Sequence, residues 1–214
     1  MRLSPILSMA AVVAAAAALN GCATLSEEQC LAGDWRGIGY QDGAQGYNWD
    51  RINQHYEACQ GAGVAPDQTL YEEGRQQGLL SYCTPGSGFY AGRNGSSYRG
   101  VCPGNLEGDF LSGYSDGRLV HSAQQAYDTA YNEQQSALNR ARDLENQIRN
   151  EENALGQSET TDEQRDAIRE RLRRLRGDRE RALDEAEQAR WRMQSADRDV
   201  SDLRARFSAY YGGW

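Results

Sequence analysis

The chain has 214 residues, of which 39% are hydrophobic and 25% charged, and its formal net charge is −8. Because nucleic-acid binding needs a basic face, this acidic balance excludes a nucleic-acid partner. All 23 residues in the Lys and Arg count are arginine, which also excludes mechanisms that need a lysine, such as Schiff-base chemistry or a P-loop.

The N-terminus has the pattern of a lipoprotein signal peptide over residues 1–21. An apolar run from Ile6 to Leu19 leads into the lipobox Leu19-Asn20-Gly21-Cys22. The run has about 14 residues where a membrane span needs about 20, which favours cleavage before Cys22 over an uncleaved anchor. We therefore expect acylation of Cys22 and attachment of the chain to membrane lipid.

The residue after the lipobox predicts the membrane in which the protein is located, by analogy with other lipoproteins. Aspartate at this position commonly keeps Gram-negative lipoproteins in the inner membrane, and here the residue is Ala23. We therefore expect an outer-membrane lipoprotein that faces the periplasm of a Gram-negative envelope.

Four further cysteines predict a disulfide framework, since an even count in an exported chain is typical of one. Three pairings are possible, and the short loops favour Cys30–Cys59 with Cys83–Cys102. A zinc site is the weaker alternative because no C-x-x-C spacing occurs. We expect neither a metal nor a cofactor.

An aromatic-x-x-glycine unit recurs between residues 33 and 119, and a second glycine follows each unit three or four residues on. On a helix both glycines would share one face. Glycine costs about 1 kcal/mol inside a helix, so the pattern indicates close helix packing. Strand turns are the alternative. The units are Tyr40–Gly43, Tyr71–Gly74, Phe89–Gly92 and Phe110–Gly113, followed by Gly46, Gly78, Gly95 and Gly117.

Local signals favour short helices in this region. Asp34, Asn48 and Asp67 are candidate N-caps, and Pro85 suits a first helical position. The stretch from Gly86 to Gly100 is the least helical by composition, so a loop or small hairpin is expected there.

Several segments in this region carry a family resemblance. They are Cys30-Leu31-Ala32-Gly33-Asp34-Trp35, Gly39-Tyr40-Gln41-Asp42-Gly43, Gly74-Arg75-Gln76-Gln77-Gly78-Leu79, Tyr82-Cys83-Thr84-Pro85 and Tyr98-Arg99-Gly100-Val101-Cys102-Pro103. In this order they resemble domain of unknown function 2799, a family of proteobacterial lipoproteins. The resemblance covers about residues 22–120 and implies an address and a fold without an activity.

From residue 120 the pattern predicts a second region, an antiparallel coiled-coil hairpin over 120–214. Apolar residues repeat at alternating steps of three and four from Val120 to Leu155 and again from Ile168 to Trp214. A capping box at Thr161-Asp162-Glu163-Gln164 starts the second helix. Facing residues should add up to 323, and the hairpin should be about 50 Å long. Phe207, Tyr210 and Trp214 overshoot the first helix and should dock near Gly113.

Arginines near the hairpin tip form the candidate partner contact, and its members are Arg169, Arg173, Arg174 and Arg176. One interpretation is a solvated face with acidic partners on both helices, among them Asp143, Glu145 and Glu152. The other is a contact for anionic lipid or a partner protein. Leu138 and Leu183 are apolar edges through which the hairpin could also self-associate.

Catalytic motifs are absent from the sequence, and no catalytic residue is assigned. His55 is a possible general base, with Asp34, Asp42, Asp50 and Asp116 as possible partners, but a half-exposed structural histidine is favoured. His121 is expected at the surface. The many aromatic residues between Trp35 and Tyr114 are interpreted mainly as core, with a glycan-stacking surface as the alternative.

These observations predict a mainly α protein with three parts: the signal peptide (1–21), a small disulfide-bonded bundle of short glycine-rich helices (22–119), and the coiled-coil hairpin (120–214). The expected role is a membrane-anchored envelope lipoprotein of structural or adaptor type. Its partner would be an envelope protein or peptidoglycan. The alternative is a glycan-binding module or a cell wall hydrolase built on the aromatic region.

Overall fold

The computed structural model describes residues 24–214, so the predicted signal peptide and Cys22 lie outside the described residues. The described chain contains helices and no strand, which confirms the mainly α fold. No helix in this part of the chain is both long and apolar enough to cross a bilayer. The helices are α1 Glu27–Ala32, α2 Trp35–Ala44, α3 Arg51–Cys59, α4 Gln68–Tyr82, α5 Pro85–Arg93, α6 Gly104–Leu155 and α7 Asp162–Tyr211, with a 3-10 turn at Gln60–Ala62 after α3.

The chain divides into two compact units. Within the described residues the first unit comprises 24–88 and 97–111, and the second comprises 89–96 and 112–214. Helix α6 begins at Gly104 and runs without a break through residues 119 and 120, where the sequence pattern changes from glycine-rich to heptad-like.

Helices α2 and α4 form the centre of the first unit and approach each other at backbone distance. A Cβ added at Gly39 or Gly43 of α2 would overlap the carbonyl oxygens of Tyr71 and Arg75 on α4, respectively. A Cβ at Gly78 of α4 would likewise overlap the carbonyl oxygen of Tyr40. The facing residue numbers rise together on the two helices, so α2 and α4 run parallel. The predicted glycine packing is confirmed here.

Two disulfides close this unit in the pairing that the short loops favoured. Cys30–Cys59 links α1 to the end of α3, and Cys83–Cys102 links the end of α4 to the segment before α6. Closing loops of 29 and 19 residues stabilises the fold by about 3 kcal/mol each. With all four thiols bonded, the zinc alternative is wrong.

Predicted caps are mostly correct. The Asp34 side chain accepts from the Gly37 amide at the start of α2, and Asp67 accepts from the first amides of α4. Asp50, and not Asn48, occupies the N-cap position of α3. The capping box at Thr161 and Gln164 forms at the start of α7.

The second unit repeats the glycine contact between α5 and α6. A Cβ at Gly92 would overlap the carbonyl oxygen of Tyr114, and one at Gly117 would overlap that of Phe89. The expected loop or hairpin over residues 86–100 is therefore wrong for its first half, which is α5. Pro85 starts this helix as predicted, and the contacts of Gly92 compensate for its low helix propensity.

The second glycine of each sequence unit has one of two roles. Gly78 and Gly117 lie in helices beside the first glycine of their units, as predicted. Gly46 and Gly95 instead follow α2 and α5 with φ of 73° and 71°, so for them the shared helix face is wrong. A left-handed residue ends a helix, and glycine adopts it without steric cost.

Helices α6 and α7 pack as the predicted antiparallel hairpin. Ile148, Ile168 and Leu172 are buried near its tip, with the partly buried Leu155 and Leu175 packed against them, and alanines fill the core farther along. In four ion pairs across the two helices, the partner numbers fall on α7 as they rise on α6, which shows the antiparallel direction. The numbers of these four pairs add up to 325, 325, 324 and 322, close to the predicted sum of 323. These pairs are Glu133–Arg192, Arg140–Glu185, Glu145–Arg179 and Glu151–Arg171.

An aromatic cluster around Phe89 holds the C-terminus of α7. Phe207 meets Phe89 edge-on at 5.9 Å between ring centroids, and Tyr211 stacks on it at 4.2 Å. Trp214 also packs against Phe89. Phe207 and Trp214 therefore dock on the glycine-rich region as predicted, with Phe89 as the residue they contact, while their proximity to Gly113 stays a prediction. For Tyr210 the predicted docking is wrong, because that side chain is 80% exposed and Tyr211 takes the inward position.

Candidate functional site

A buried polar network lies between α2, α3 and α4 in the first unit, with Asp42 at its centre. The Tyr71 hydroxyl donates to Asp42 Oδ2 at 2.7 Å, and the His55 Nε2–H donates to the same oxygen at 2.7 Å. All three side chains are buried. Burial and the hydrogen bond to Asp42 both raise the pKa of the Tyr71 phenol above its usual range.

Thr24 extends this network to the start of the described chain. Its hydroxyl lies 2.8 Å from His55 Nδ1. Because the other ring nitrogen contacts Asp42, both ring nitrogens of His55 have a hydrogen-bond partner. Only Ala23 separates Thr24 from Cys22 in the sequence. The described fold therefore includes a hydrogen-bonded residue two positions after the predicted lipid attachment site.

The order of hydroxyl, imidazole and carboxylate resembles a nucleophile, base and orienting acid. His55 is only 2% exposed, however, and the Asp42 carboxylate beside it also accepts a hydrogen bond from the Tyr71 hydroxyl. A substrate would need a rearrangement of the core to reach the ring. The geometry favours a structural role, as the sequence indicated, although His55 is buried and not half-exposed.

Of the four aspartates considered as partners, only Asp42 faces His55. Asp34 caps α2, and Asp116 accepts a hydrogen bond from the Tyr211 hydroxyl at 2.8 Å. Burial, followed by that hydrogen bond, raises the pKa of Tyr211 to about 12. His121 is half-buried, and its Nδ1 lies 3.0 Å from the Arg93 carbonyl oxygen. Residues 24–214 contain no group of three or more His, Cys, Asp or Glu side chains placed to hold a metal.

Two arginines adjoin the network and were not predicted. Arg51 Nε lies 4.0 Å from Asp42 Oδ1, and its guanidinium stacks over the Tyr47 ring. Arg75 is buried and holds Glu72 through two hydrogen bonds of 2.7 and 2.8 Å. Burial raises the pKa of Glu72, but the hydrogen bonds from Arg75 and Gln76 outweigh it and bring the pKa below its usual value.

The four predicted contact arginines near the hairpin tip are exposed and ion-paired. Arg169 pairs with Asp166 at 2.8 Å, and Arg173 and Arg174 both pair with Glu170. Arg176 reaches across to Glu152 at 2.7 Å. The structure therefore favours a solvated, charge-compensated face over a free basic patch at these positions.

A groove on one side of the hairpin lies nearer to its middle. Its volume is about 550 Å³. Leu138 and Ala141 line it from α6, and Leu183 lines it from α7. Arg142, Arg149 and Arg179 line it with a single acidic residue, Glu145. The sequence had identified the two leucines as apolar edges but not the arginines, because their common side becomes visible only in the packed hairpin.

The comparisons with known proteins show a family similarity for one region. Residues 34–119 match the family model described as Protein of unknown function (DUF2799). No curated protein and no solved structure matches the chain. The matched region starts at Asp34, the N-cap of α2, and includes both glycine-packed helix pairs, whereas most of the hairpin lies outside it. This region of the chain is therefore similar to the DUF2799 family, the same family that its glycine and cysteine motifs indicated.

Proposed function

We propose that the protein is a lipid-anchored envelope adaptor that binds a partner protein through the side groove of its helical hairpin. The observation that carries the proposal is the combination of Leu138 and Leu183 with an unbalanced set of arginines in one groove. A groove between two helices, apolar at its base and charged at its rim, is the usual receptor for an amphipathic helix.

Two other grooves on the hairpin differ from this one because their positive and negative side chains are balanced in number. In one, Glu133 and Glu185 pair with Arg192 and Arg140. In the other, Arg171 and Arg174 are balanced by Glu151 and Asp178. The groove of Leu138 has three arginines against Glu145, which forms ion pairs with Arg149 at 3.8 Å and with Arg179 at 2.7 Å. Excess positive charge beside an apolar floor favours a partner helix with acidic flanks.

This charge pattern also argues for a different protein over a second copy. In a twofold dimer of hairpins, the same groove of each copy would face the other. The three arginines would then meet three arginines, and like charges across an interface are unfavourable. The proposed occupant is therefore an acidic amphipathic helix of another envelope protein.

Membrane attachment through Cys22 is the second part of the proposal. It is supported by the lipobox and by the hydrogen bond between Thr24 and His55, which fixes the chain close to the proposed anchor. Metabolic labelling with palmitate should mark the wild type and leave Cys22→Ala unlabelled. Labelling of neither form would contradict the anchor.

Photocrosslinking in cells tests the adaptor role on the full chain. A photoreactive residue at position 183 should give a discrete adduct with another protein, and the same residue at position 188, in a balanced groove, should not. Replacing Arg142 and Arg149 by Glu should reduce the adduct about tenfold or more, since both rim charges are reversed. Replacing Arg173 and Arg174 by Glu at the tip is the matched control and should leave the yield unchanged.

The identity of the adduct decides the interpretation. Mapping of the crosslink to an acidic amphipathic helix supports the proposal. An adduct between two copies of this chain, or equal yields from positions 183 and 188, contradicts it.

A further inference from the structure

A second groove, in the first unit, is independent of the hairpin. Its volume is about 680 Å³, within the usual range for sites of small ligands. One wall is Trp49, from the segment between α2 and α3. The floor is the outer face of α4, where polar side chains recur one turn apart. These floor residues are Gln68, Thr69, Glu72, Glu73, Gln76 and Gln77.

Trp49 gives the groove an apolar wall that is open to solvent. Its side chain is 40% exposed, whereas Trp35 in the same unit is buried in the core. An exposed indole offers a large rigid face at small entropic cost, because few of its torsions must be fixed on binding. Sugar rings present flat C–H faces that pack on such a surface.

The floor of the groove suits the polar edge of a sugar. Each of the three glutamine amides has donors and an acceptor, and Glu72 and Glu73 accept only. Arg75 holds Glu72 in its ionised form through the two hydrogen bonds described above. Hydroxyl groups can donate to the carboxylates, and an acetamido group can pair both its N–H and its C=O with an amide side chain.

The charges of the groove select against anions. Its ionisable lining residues are the two glutamates, and the neighbouring arginines are already engaged, Arg36 with Glu73 and Arg75 with Glu72. A phosphate or an acidic sugar would meet like charge. From Gln68 to Gln77 the floor extends about 14 Å along α4, which accommodates roughly two or three linked sugar rings.

From these contacts we infer that the groove binds an uncharged oligosaccharide of N-acetylated amino sugars, stacked on Trp49 and hydrogen-bonded to the glutamines of α4. This site does not depend on the hairpin or on its partner. Two sources offer the same chemistry, namely the glycan strands of peptidoglycan and soluble polysaccharide.

Calorimetric titration of the full mature chain with a chitin oligosaccharide tests the inference. The wild type should bind, and Trp49→Ala should weaken binding about tenfold or more, whereas Trp49→Phe should lose less than about threefold because a ring remains. Trp191→Ala is the matched control. It removes an indole that is 60% exposed on α7 and should not change the affinity.

A second set of variants covers the polar floor. Replacing Gln76 and Gln77 by Ala should reduce affinity for the chitin oligosaccharide, and Gln41→Ala on exposed α2 surface should not. A cellulose oligosaccharide, which lacks acetamido groups, should bind more weakly to the wild type. Circular dichroism of each variant confirms that the helices are retained.

Binding to purified peptidoglycan sacculi distinguishes the two possible sources of the oligosaccharide. Retention of the protein by purified peptidoglycan sacculi, lost in Trp49→Ala, supports the inference with the cell wall as source. Binding to the free oligosaccharide but not to sacculi supports it with a soluble source. The inference is overturned if the wild type shows no binding at millimolar oligosaccharide, if Trp49→Ala binds as well as the wild type, or if the cellulose oligosaccharide binds equally well.

Discussion

Asp42 is the shared acceptor of two buried hydrogen bonds in the first unit, since His55 and Tyr71 both donate to it. Replacing Asp42 by Ala would leave two buried donors without their acceptor. We expect a loss of about 3 kcal/mol in the free energy of unfolding, because each buried unsatisfied group costs roughly 1–3 kcal/mol.

Urea unfolding of the full chain measures this effect. Asp34→Ala is the comparison, because it removes a carboxylate that caps α2 at the surface and should cost about 1 kcal/mol. Equal losses in the two variants would show that the network around Asp42 adds nothing beyond a cap.

Tyr211 makes stability in the second unit depend on alkaline pH. Its pKa is raised to about 12 by burial and by the hydrogen bond to Asp116, whereas an unfolded tyrosine titrates near 10. Its contribution is therefore complete below about pH 10 and is lost as the pH rises towards 12. We expect Tyr211→Phe to lose less stability than the wild type between pH 9 and pH 11.

Between pH 9 and pH 11 the free energy of unfolding should fall further in the wild type than in Tyr211→Phe. The two falls should differ by about 1 kcal/mol or less, since the Tyr211 side chain is only partly buried. Urea midpoints at the two pH values measure this difference. Tyr210→Phe, at the exposed neighbouring position, should retain the wild-type pH dependence. A Tyr211→Phe variant with that same dependence would contradict the assignment.

At the residue scale the sequence indicated His55 and gave Asp42 as one of four possible partners, but it did not single out Asp42 or indicate Tyr71. Asp42 is 13 residues from His55 and Tyr71 is 29 from Asp42, so their meeting depends on how α2, α3 and α4 pack. Helical periodicity places a residue on a face of its own helix and does not say which face of another helix it meets.

Among the elements, the glycine-packed helix pairs yield a paired prediction. In α4, a Cβ at Gly74 would overlap the carbonyl oxygen of Arg36, whereas a Cβ at Gly108 in α6 would lie in open space. Gly74→Ala should destabilise by about 2 kcal/mol or more, because α2 and α4 must separate. Gly108→Ala should stabilise by about 0.5–1 kcal/mol through helix propensity alone.

Denaturant unfolding should therefore show a lower free energy of unfolding for Gly74→Ala and a higher one for Gly108→Ala than for the wild type. A neutral or stabilising Gly74→Ala would mean that α2 and α4 can move apart at little cost, and close packing would then not explain the glycines.

The glycine pattern also reveals an internal repeat. Gly39, Gly43 and Gly46 in and after α2 correspond in spacing to Gly88, Gly92 and Gly95 in and after α5. Their partners correspond as well, because a Cβ at Gly46 would meet the Tyr82 ring and one at Gly95 the His121 ring. The sequence predicted a repeat of single units, but the structural repeat is a pair of packed helices, which only the contacts between helices disclose.

On the scale of the whole molecule, the hairpin was the most predictable part. Its heptad pattern gave the pairing and the register because both depend on local spacing and a short connection. The continuity of α6 from Gly104 was not predicted, because the glycine unit from Phe110 to Gly117 was assigned to a short helix separate from the hairpin. Packing against α5 compensates for the low helix propensity of Gly117, and propensity counted along one segment omits such contacts.

The disulfides distribute stability unevenly over the molecule. All four bonded cysteines, Cys30, Cys59, Cys83 and Cys102, belong to the first unit. Reduction should therefore remove about 3 kcal/mol per bridge from that unit and leave the packed alanines of the hairpin unaffected.

Hydrogen exchange measured by mass spectrometry should show faster exchange in α2 and α4 after reduction, with little change in the middle of α7. A variant with Ser in place of Cys30 and Cys59 lacks one of the two bridges and should show a smaller change in the same direction without reductant. Equal acceleration in α4 and α7 would instead mean that the two units unfold as one cooperative block, and the uneven distribution would then be wrong.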